Sequence, residues 1–210
     1  MSKKARKALA ASDPTMAALI DRIGEIDLAT RLRRRKEERP ADAYGALLRA
    51  IVGQQLSTKA ARTIYLRVLD LFDGQTPSPE QLLEAREGDL RGAGLSGRKT
   101  EYIRDLAAHV LNGELELGRL DQLEDEEAIE EIVAVRGLGR WTAEMFLIFH
   151  LERPDVLSGG DLGIRKAIQI EYGLEEMPPP TQVIEIGEPW RPYRSLASIY
   201  LWESLAAVPS

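Results

Sequence analysis

Three stretches of this chain place chemistry-bearing residues at the start of a helix. The first is Arg136-Gly137-Leu138-Gly139-Arg140-Trp141. Glycine reaches φ > 0 and lets another backbone come close. The first N–H groups of a helix have no intrahelical acceptor and lie at its positive end. A Gly-x-Gly hairpin that opens a helix can therefore hold a phosphate through backbone N–H groups, without net protein charge. Arg140 would add a cationic donor, and Leu138 would plug the hairpin into the contact between its two helices. The second stretch is Ser158-Gly159-Gly160-Asp161, in which Asp161 opens a helix. Aspartate is a favoured N-cap, and a helix start favours negative charge. The third is Gly97-Arg98-Lys99, which opens a helix at a turn and could hold a second phosphate in the same way. Each has a plainer reading: a glycine-rich turn between core helices, a capping aspartate, a solvated helix start. His109 and His150 read as ordinary helix residues, and no His and carboxylate cluster has metal-ligand spacing.

Composition bounds what these residues can serve. The 210 residues suffice for one domain or two small lobes with a real core. The absence of cysteine excludes disulfides, thiolate zinc sites and iron–sulfur clusters. No apolar run reaches the length of a membrane span, and the basic start MSKKARKALAASDP lacks the apolar segment of a secretory signal. The net charge of −6 argues against nucleic acid as a partner when taken alone. Yet charge beyond a Debye length of about 8–10 Å is screened, so local potential decides. Basic residues outnumber acidic ones over residues 1–40, with the run Arg31-Leu32-Arg33-Arg34-Arg35-Lys36. Nearly every charge over residues 114–131 is acidic, which reads as a solvated helix face.

The elements that must position these residues are helices. Apolar spacing at Tyr44, Leu47, Leu48, Ile51 and Val52 predicts a helix over residues 41–56. Ser57 would cap the next, over 58–72. A short helix starts at 81 and ends near Gly92-Ala93-Gly94, and further helices are predicted over 98–111, 125–135, 141–150, 161–171 and 193–206. Asp73–Pro79 and Met177-Pro178-Pro179-Pro180 break the chain. No strand pattern competes. The chain reads as all-α, in two helical lobes. Residues 41–150 form one, ending in a helix–hairpin–helix at about 128–150. Residues 1–40 and 151–210 form the other, because the break at Pro178–Pro180 sends the last helices back.

The segment from Gly137 to Asp161 resembles the base-excision DNA glycosylases of the helix–hairpin–helix (HhH-GPD) superfamily, whose hallmark is this hairpin, a Gly/Pro-rich loop and an essential aspartate. Further stretches resemble its AlkA/Mag-type 3-methyladenine branch, the DNA-3-methyladenine glycosylase II type. They are Ile51-Val52-Gly53-Gln54-Gln55-Leu56-Ser57, Gly94-Leu95-Ser96-Gly97-Arg98-Lys99, Gly139-Arg140-Trp141-Thr142-Ala143-Glu144, and Trp190-Arg191-Pro192-Tyr193-Arg194-Ser195 leading into Trp202. The resemblance covers roughly residues 41–205, and the joint spacing of four separated motifs makes it specific.

The resemblance implies a DNA- and base-binding cleft between the two lobes and a role for each motif. Asp161 would be the catalytic carboxylate. It would stabilise the oxocarbenium character of the sugar and orient or deprotonate the attacking water. Trp141 stands where strand-cutting relatives carry a Schiff-base lysine, so the resemblance implies a monofunctional enzyme. Lys166 is not at that position. The indole of Trp141 would attract a cationic alkylated base, a cation–π contact worth ~0.5–2 kcal/mol; core packing is its plainer role. Trp202 matches an aromatic of the base pocket. Tyr44 is a further pocket candidate, and Met145 occupies a place where some relatives have an aromatic. Gln55, with Gln54 beside it, falls at the wedge position that fills the hole left by a rotated-out nucleotide; a pair of helix-capping glutamines is the alternative. The family's hairpins also often bind a monovalent cation, Na⁺ or K⁺, through backbone carbonyls, here Val133, Val135 and Leu138. No cofactor is required.

The function so implied is release of 3-methyladenine and 7-methylguanine from double-stranded DNA by a monomer, on the nucleoid or in the nucleus, with no membrane partner. Two alternatives stay open: a non-catalytic helix–hairpin–helix DNA-binding protein, and a same-fold glycosylase for deaminated or oxidised bases.

Overall fold

Short polar side chains fix where six of the twelve described α-helices begin. The computed structural model describes residues 3–26 and 42–206. Its helices are α1 Lys3–Ser12, α2 Pro14–Ile23, α3 Ala43–Gly53, α4 Thr58–Asp70, α5 Pro79–Glu84, α6 Glu87–Gly92, α7 Gly97–Leu111, α8 Asp125–Ala134, α9 Arg140–Phe149, α10 Leu162–Glu171, α11 Pro180–Ile186 and α12 Arg194–Ala206, with a 3₁₀ turn at Glu188–Trp190. No strand occurs among the described residues. No helix there is long and apolar enough to cross a membrane. The basic run Arg31–Lys36 lies outside the described residues. Asp42 caps α3 by accepting from the Gly45 N–H at 2.7 Å, Ser57 caps α4 through Ala60 and Ser96 caps α7 through Lys99. Ser78 and Gln81 form a reciprocal capping box on α5.

Two differences from the sequence-based expectation exceed the shifts of one or two residues seen at other helix ends. The helix predicted to reach residue 56 stops at Gly53, because Gln54 is extended (ψ 135) and Gln55 is left-handed (φ 57). The helix expected to end near Gly92–Gly94 is two, α5 and α6, broken at Ala85, whose carbonyl accepts from the Arg104 guanidinium at 2.6 Å. Both breaks depend on side chains far along the chain.

By internal contacts the chain divides into two units, Met1–Arg33 with Leu147–Ser210, and Arg34–Phe146. In Arg34–Phe146 the core takes Leu47, Leu48, Ile51 and Val52 from α3, Ile103 and Leu106 from α7, and Ile132 from α8, all fully buried. Burying each such side chain contributes about 1.5–3 kcal/mol. In the other unit Ala5, Leu9, Met16 and Leu19 of α1 and α2 pack with Ile164, Ala167 and Ile168 of α10 and with Trp190, Tyr200 and Leu201. Asp13 joins the ends of that unit. It caps α2 and also accepts from the Trp190 indole N–H at 2.8 Å and from the Tyr172 hydroxyl.

Candidate active site

The hairpin begins where α8 ends at Ala134. Val135 turns extended, and the Leu138 N–H closes onto the Val135 carbonyl at 3.1 Å. Leu138 is buried, so it does plug the hairpin. The two glycines have different reasons. Gly137 has φ +87, and a Cβ there would lie 2.2 Å from the Tyr102 ring. At Gly139 a Cβ would meet nothing within 4 Å. Gly137 is thus required by the fold, whereas Gly139 leaves open space at the start of α9, where a helix carries its unsatisfied N–H groups. Trp141, in that first turn, is 53% exposed, which excludes core packing for its side chain. Met145, one turn on, is half-buried.

Arg140 gains partners that its local sequence does not show, and the expectations for Lys99 and Tyr44 need correction. The Arg140 guanidinium is committed to carboxylates, at 2.9 and 2.6 Å to Glu126 and 3.0 Å to Glu144. The hydrogen bonds that Arg140 donates to Glu126 are the main cause of the rise in the Arg140 pKa. Part of the acidic run is therefore the partner of the hairpin arginine, not only a solvated face. Lys99 does not present its ammonium outward. It donates to the carbonyls of Val52 at 2.7 Å and Gln54 at 2.8 Å, and burial lowers its pKa. Tyr44 lies in the core, only 7% exposed, because it shares a helical face with Leu47, Leu48 and Ile51. Its hydroxyl has no hydrogen-bond partner among the described residues, and burial pushes the phenol well above its ordinary range.

The glutamines also separate. The Gln54 side chain donates to the Gly137 carbonyl at 2.6 Å and is part of the hairpin's support. Gln55 is exposed in the left-handed conformation, at the tip of the turn between α3 and α4. Of the pair, Gln55 is the exposed one. Arg98 is exposed at the start of α7, while Gly97 is half-buried.

In the other unit Asp161 caps α10, accepting from the Ile164 N–H at 2.8 Å. Trp202 of α12 donates its indole N–H to the same oxygen, Oδ1, at 2.9 Å. The carboxylate is only 8% exposed and its plane is fixed by two donors. Trp202 therefore orients Asp161, a contact its sequence position did not show, and its ring lies 5.7 Å from that of Phe149. Gly163 makes this approach possible, since a Cβ there would stand 3.0 Å from Trp202 Cδ1 and 3.1 Å from Asp161 Oδ1. Lys166 is exposed and bonds Gln169.

The segment that leads to Asp161 is anchored by the Trp190–Ser195 motif. Arg194 holds the Asp155 carboxylate at 2.9 Å and the Asp155 carbonyl at 2.6 Å, and Arg191 reaches the second carboxylate oxygen at 2.7 Å. The Ser195 hydroxyl donates to the Arg153 carbonyl at 2.6 Å and accepts from the Val156 N–H at 3.0 Å. Gly163, Tyr102, Phe149 and Asp155 were not among the site residues expected from the sequence. The glycine two places after Asp161 was the only local signal for any of them.

Among the described residues no group of three or more His, Cys, Asp or Glu could hold a metal. The carbonyl set of Val133, Val135 and Leu138 is of another kind. Val133 lies in the last turn of α8, where carbonyls lack intrahelical donors, and Val135 O already accepts one N–H.

The family model described as HhH-GPD superfamily base excision DNA repair protein matches residues 48–192. The chain is 34% identical over 165 residues to DNA-3-methyladenine glycosylase 1 of Schizosaccharomyces pombe, with 78% of this chain and 72% of that protein aligned. It is 33% identical over 168 residues to YfjP of Bacillus subtilis, of which it spans 58%. Among solved structures, the Schizosaccharomyces pombe 3-methyladenine DNA glycosylase in complex with abasic DNA superposes with a TM-score of 0.80 at 30% identity, covering 98% of both chains. A DNA-3-methyladenine glycosidase of Bacillus halodurans gives 0.82 at 38% identity, covering 96% of this chain and 88% of that one.

Proposed function

We propose that this chain, which belongs to the HhH-GPD superfamily of base excision DNA repair proteins, is a monofunctional glycosylase that hydrolyses the N-glycosidic bond of alkylated purines in duplex DNA. The observation that carries this reading is Asp161, a nearly buried carboxylate held in one orientation by the Ile164 and Trp202 N–H groups.

The chemistry needs little else. A purine alkylated at N3 or N7 already carries positive charge, so it leaves without a general acid. The sugar then acquires oxocarbenium character, which a fixed carboxylate stabilises while it orients or deprotonates water. The exposed indole of Trp141 offers a cation–π face to such a base. A tryptophan cannot form a Schiff base, so the strand stays intact after base loss. The open start of α9 at Gly139 suits a DNA phosphate, held by backbone N–H groups and the helix dipole. Gln55 would enter the stack as the base rotates out. A monovalent cation at the carbonyls of Val133, Val135 and Leu138 would add positive charge beside that phosphate.

The test is release of base. Wild type and Asp161→Asn are incubated with duplex DNA carrying radiolabelled methylated purines, and free base and abasic sites are scored before any alkali treatment. Wild type is expected to release 3-methyladenine or 7-methylguanine and leave strands intact. DNA binding by both proteins without release by either would make the chain a helix–hairpin–helix binding protein or a glycosylase for other lesions.

A further inference from the structure

Helix α7 carries Lys99, Tyr102 and Asp105 at intervals of three residues, and each reaches a loop of the Arg34–Phe146 unit. Lys99 Nζ joins the carbonyls of Val52 and Gln54, at 2.7 and 2.8 Å. The Tyr102 ring underlies Gly137 so closely that no larger residue fits there. Asp105 Oδ2 accepts from the Arg136 N–H at 2.8 Å. Gln54 closes the circuit by donating to the Gly137 carbonyl at 2.6 Å. The turn that presents Gln55 and the hairpin are thus both referenced to one helix.

Gln55 is the residue in this circuit whose backbone needs support. It holds φ 57, a conformation L side chains other than Asn and Asp seldom adopt. The Gln54 carbonyl belongs to the peptide that leads into Gln55, and the Val52 carbonyl lies in the last turn of α3. A cation there satisfies orphan carbonyls and complements the negative end of the helix. We infer that Lys99 is a positioning residue for base extrusion: its ammonium fixes the peptide plane entering Gln55 and so presents that side chain to the base stack, instead of gripping a phosphate. The inference rests on the reading of Gln55 as the residue that fills the emptied stack.

The test follows fluorescence from a duplex with 2-aminopurine at its centre, which brightens on unstacking and requires no bond cleavage. Wild type, Lys99→Met, Gln55→Ala and the double variant are compared, with Kd measured over a salt series. The expected result is an extrusion constant about tenfold lower in Lys99→Met, and a double variant no worse than Gln55→Ala, because the two residues act through one feature. The slope of log Kd against log salt should stay at the wild-type value. Lys99→Gln, which keeps an uncharged donor, should fall between wild type and Lys99→Met. Placing Gln55→Asn in the Lys99→Met background should recover extrusion, since asparagine tolerates the left-handed region better. A slope reduced by about one would make Lys99 a phosphate contact and overturn the inference. So would losses that multiply in the double variant, or wild-type extrusion by Lys99→Met. If wild type itself does not extrude 2-aminopurine, the reading of Gln55 falls and the inference with it. If it extrudes the base yet releases no methylated purine, only the substrate reading fails, and the Lys99 ratios still decide.

Discussion

Asp13 and Asp161 are built from the same parts. Each caps a helix, each is 8% exposed, and each accepts an indole N–H, from Trp190 at 2.8 Å and from Trp202 at 2.9 Å. Their surroundings separate them. Both oxygens of Asp13 are engaged: Oδ1 takes the Thr15 and Met16 N–H groups, and Oδ2 takes Trp190 and the Tyr172 hydroxyl. Burial would raise this carboxyl, but the bonds from Tyr172, Trp190 and the two amides outweigh it and hold the pKa below the ordinary aspartate value. Behind Asp13 stand the fully buried Met16 and Leu19, whereas the residue after Asp161 is Leu162, 67% exposed. At Asp161 the Ile164 and Trp202 donors converge on one oxygen. The same local device, a capping aspartate with a tryptophan donor, ties α2 to Tyr172 and Trp190 in one place and orients the candidate catalytic carboxylate in the other.

Substitution should pull the two apart. The largest effect is expected from Asp161→Asn, with base release reduced about 10²–10³-fold and melting hardly changed, since asparagine also caps. Asp13→Asn should do the reverse, costing about 2 kcal/mol of stability while leaving turnover per folded molecule unchanged. Its pH dependence has a definite sign. A carboxyl whose pKa is lowered by folding contributes stability above its unfolded value and loses it as pH falls through the folded one. Melts of wild type and Asp13→Asn should therefore differ most near neutrality and converge below about pH 4. Equal loss of activity from both substitutions would erase the distinction.

The tryptophans sharpen it further. Trp190→Phe should lower stability by about 2 kcal/mol, by removing a donor from a buried charge. Trp202→Phe should lower kcat about tenfold with KM nearly unchanged, because a freed carboxylate rotates from its working geometry. The smallest effect belongs to Gly163→Ala. Its Cβ would crowd Trp202 and Asp161 Oδ1 by a few tenths of an ångström, and a fall in kcat of about three- to fivefold is expected. Single-turnover base release separates these outcomes from effects on binding.

How far the sequence could be read follows the range of each interaction. The all-α fold, the cap at Ser57, the hairpin and the capping position of Asp161 were legible, because helical periodicity and capping act within four residues. Membership in the glycosylase superfamily was legible from the joint spacing of four motifs. Lys99 was misread because its partners lie 47 and 45 residues away. The partner of Arg140 was not legible, because Glu126 lies 14 residues back and takes both ends of its guanidinium. Asp13 carried a visible capping signal before Pro14, but its indole partner lies 177 residues on.

By itself the sequence determined which groups could do chemistry and where the capped helices would start, since serine and aspartate act on the backbone beside them. Only the tertiary structure decided which of those groups are engaged by the protein and which are presented outward. A guanidinium or ammonium at a helix start binds whatever acceptor the fold brings within about 3 Å, and that acceptor is chosen by packing between distant segments. Here packing gave Arg140 to Glu126, Lys99 to the turn before Gln55, and the Trp202 indole to Asp161.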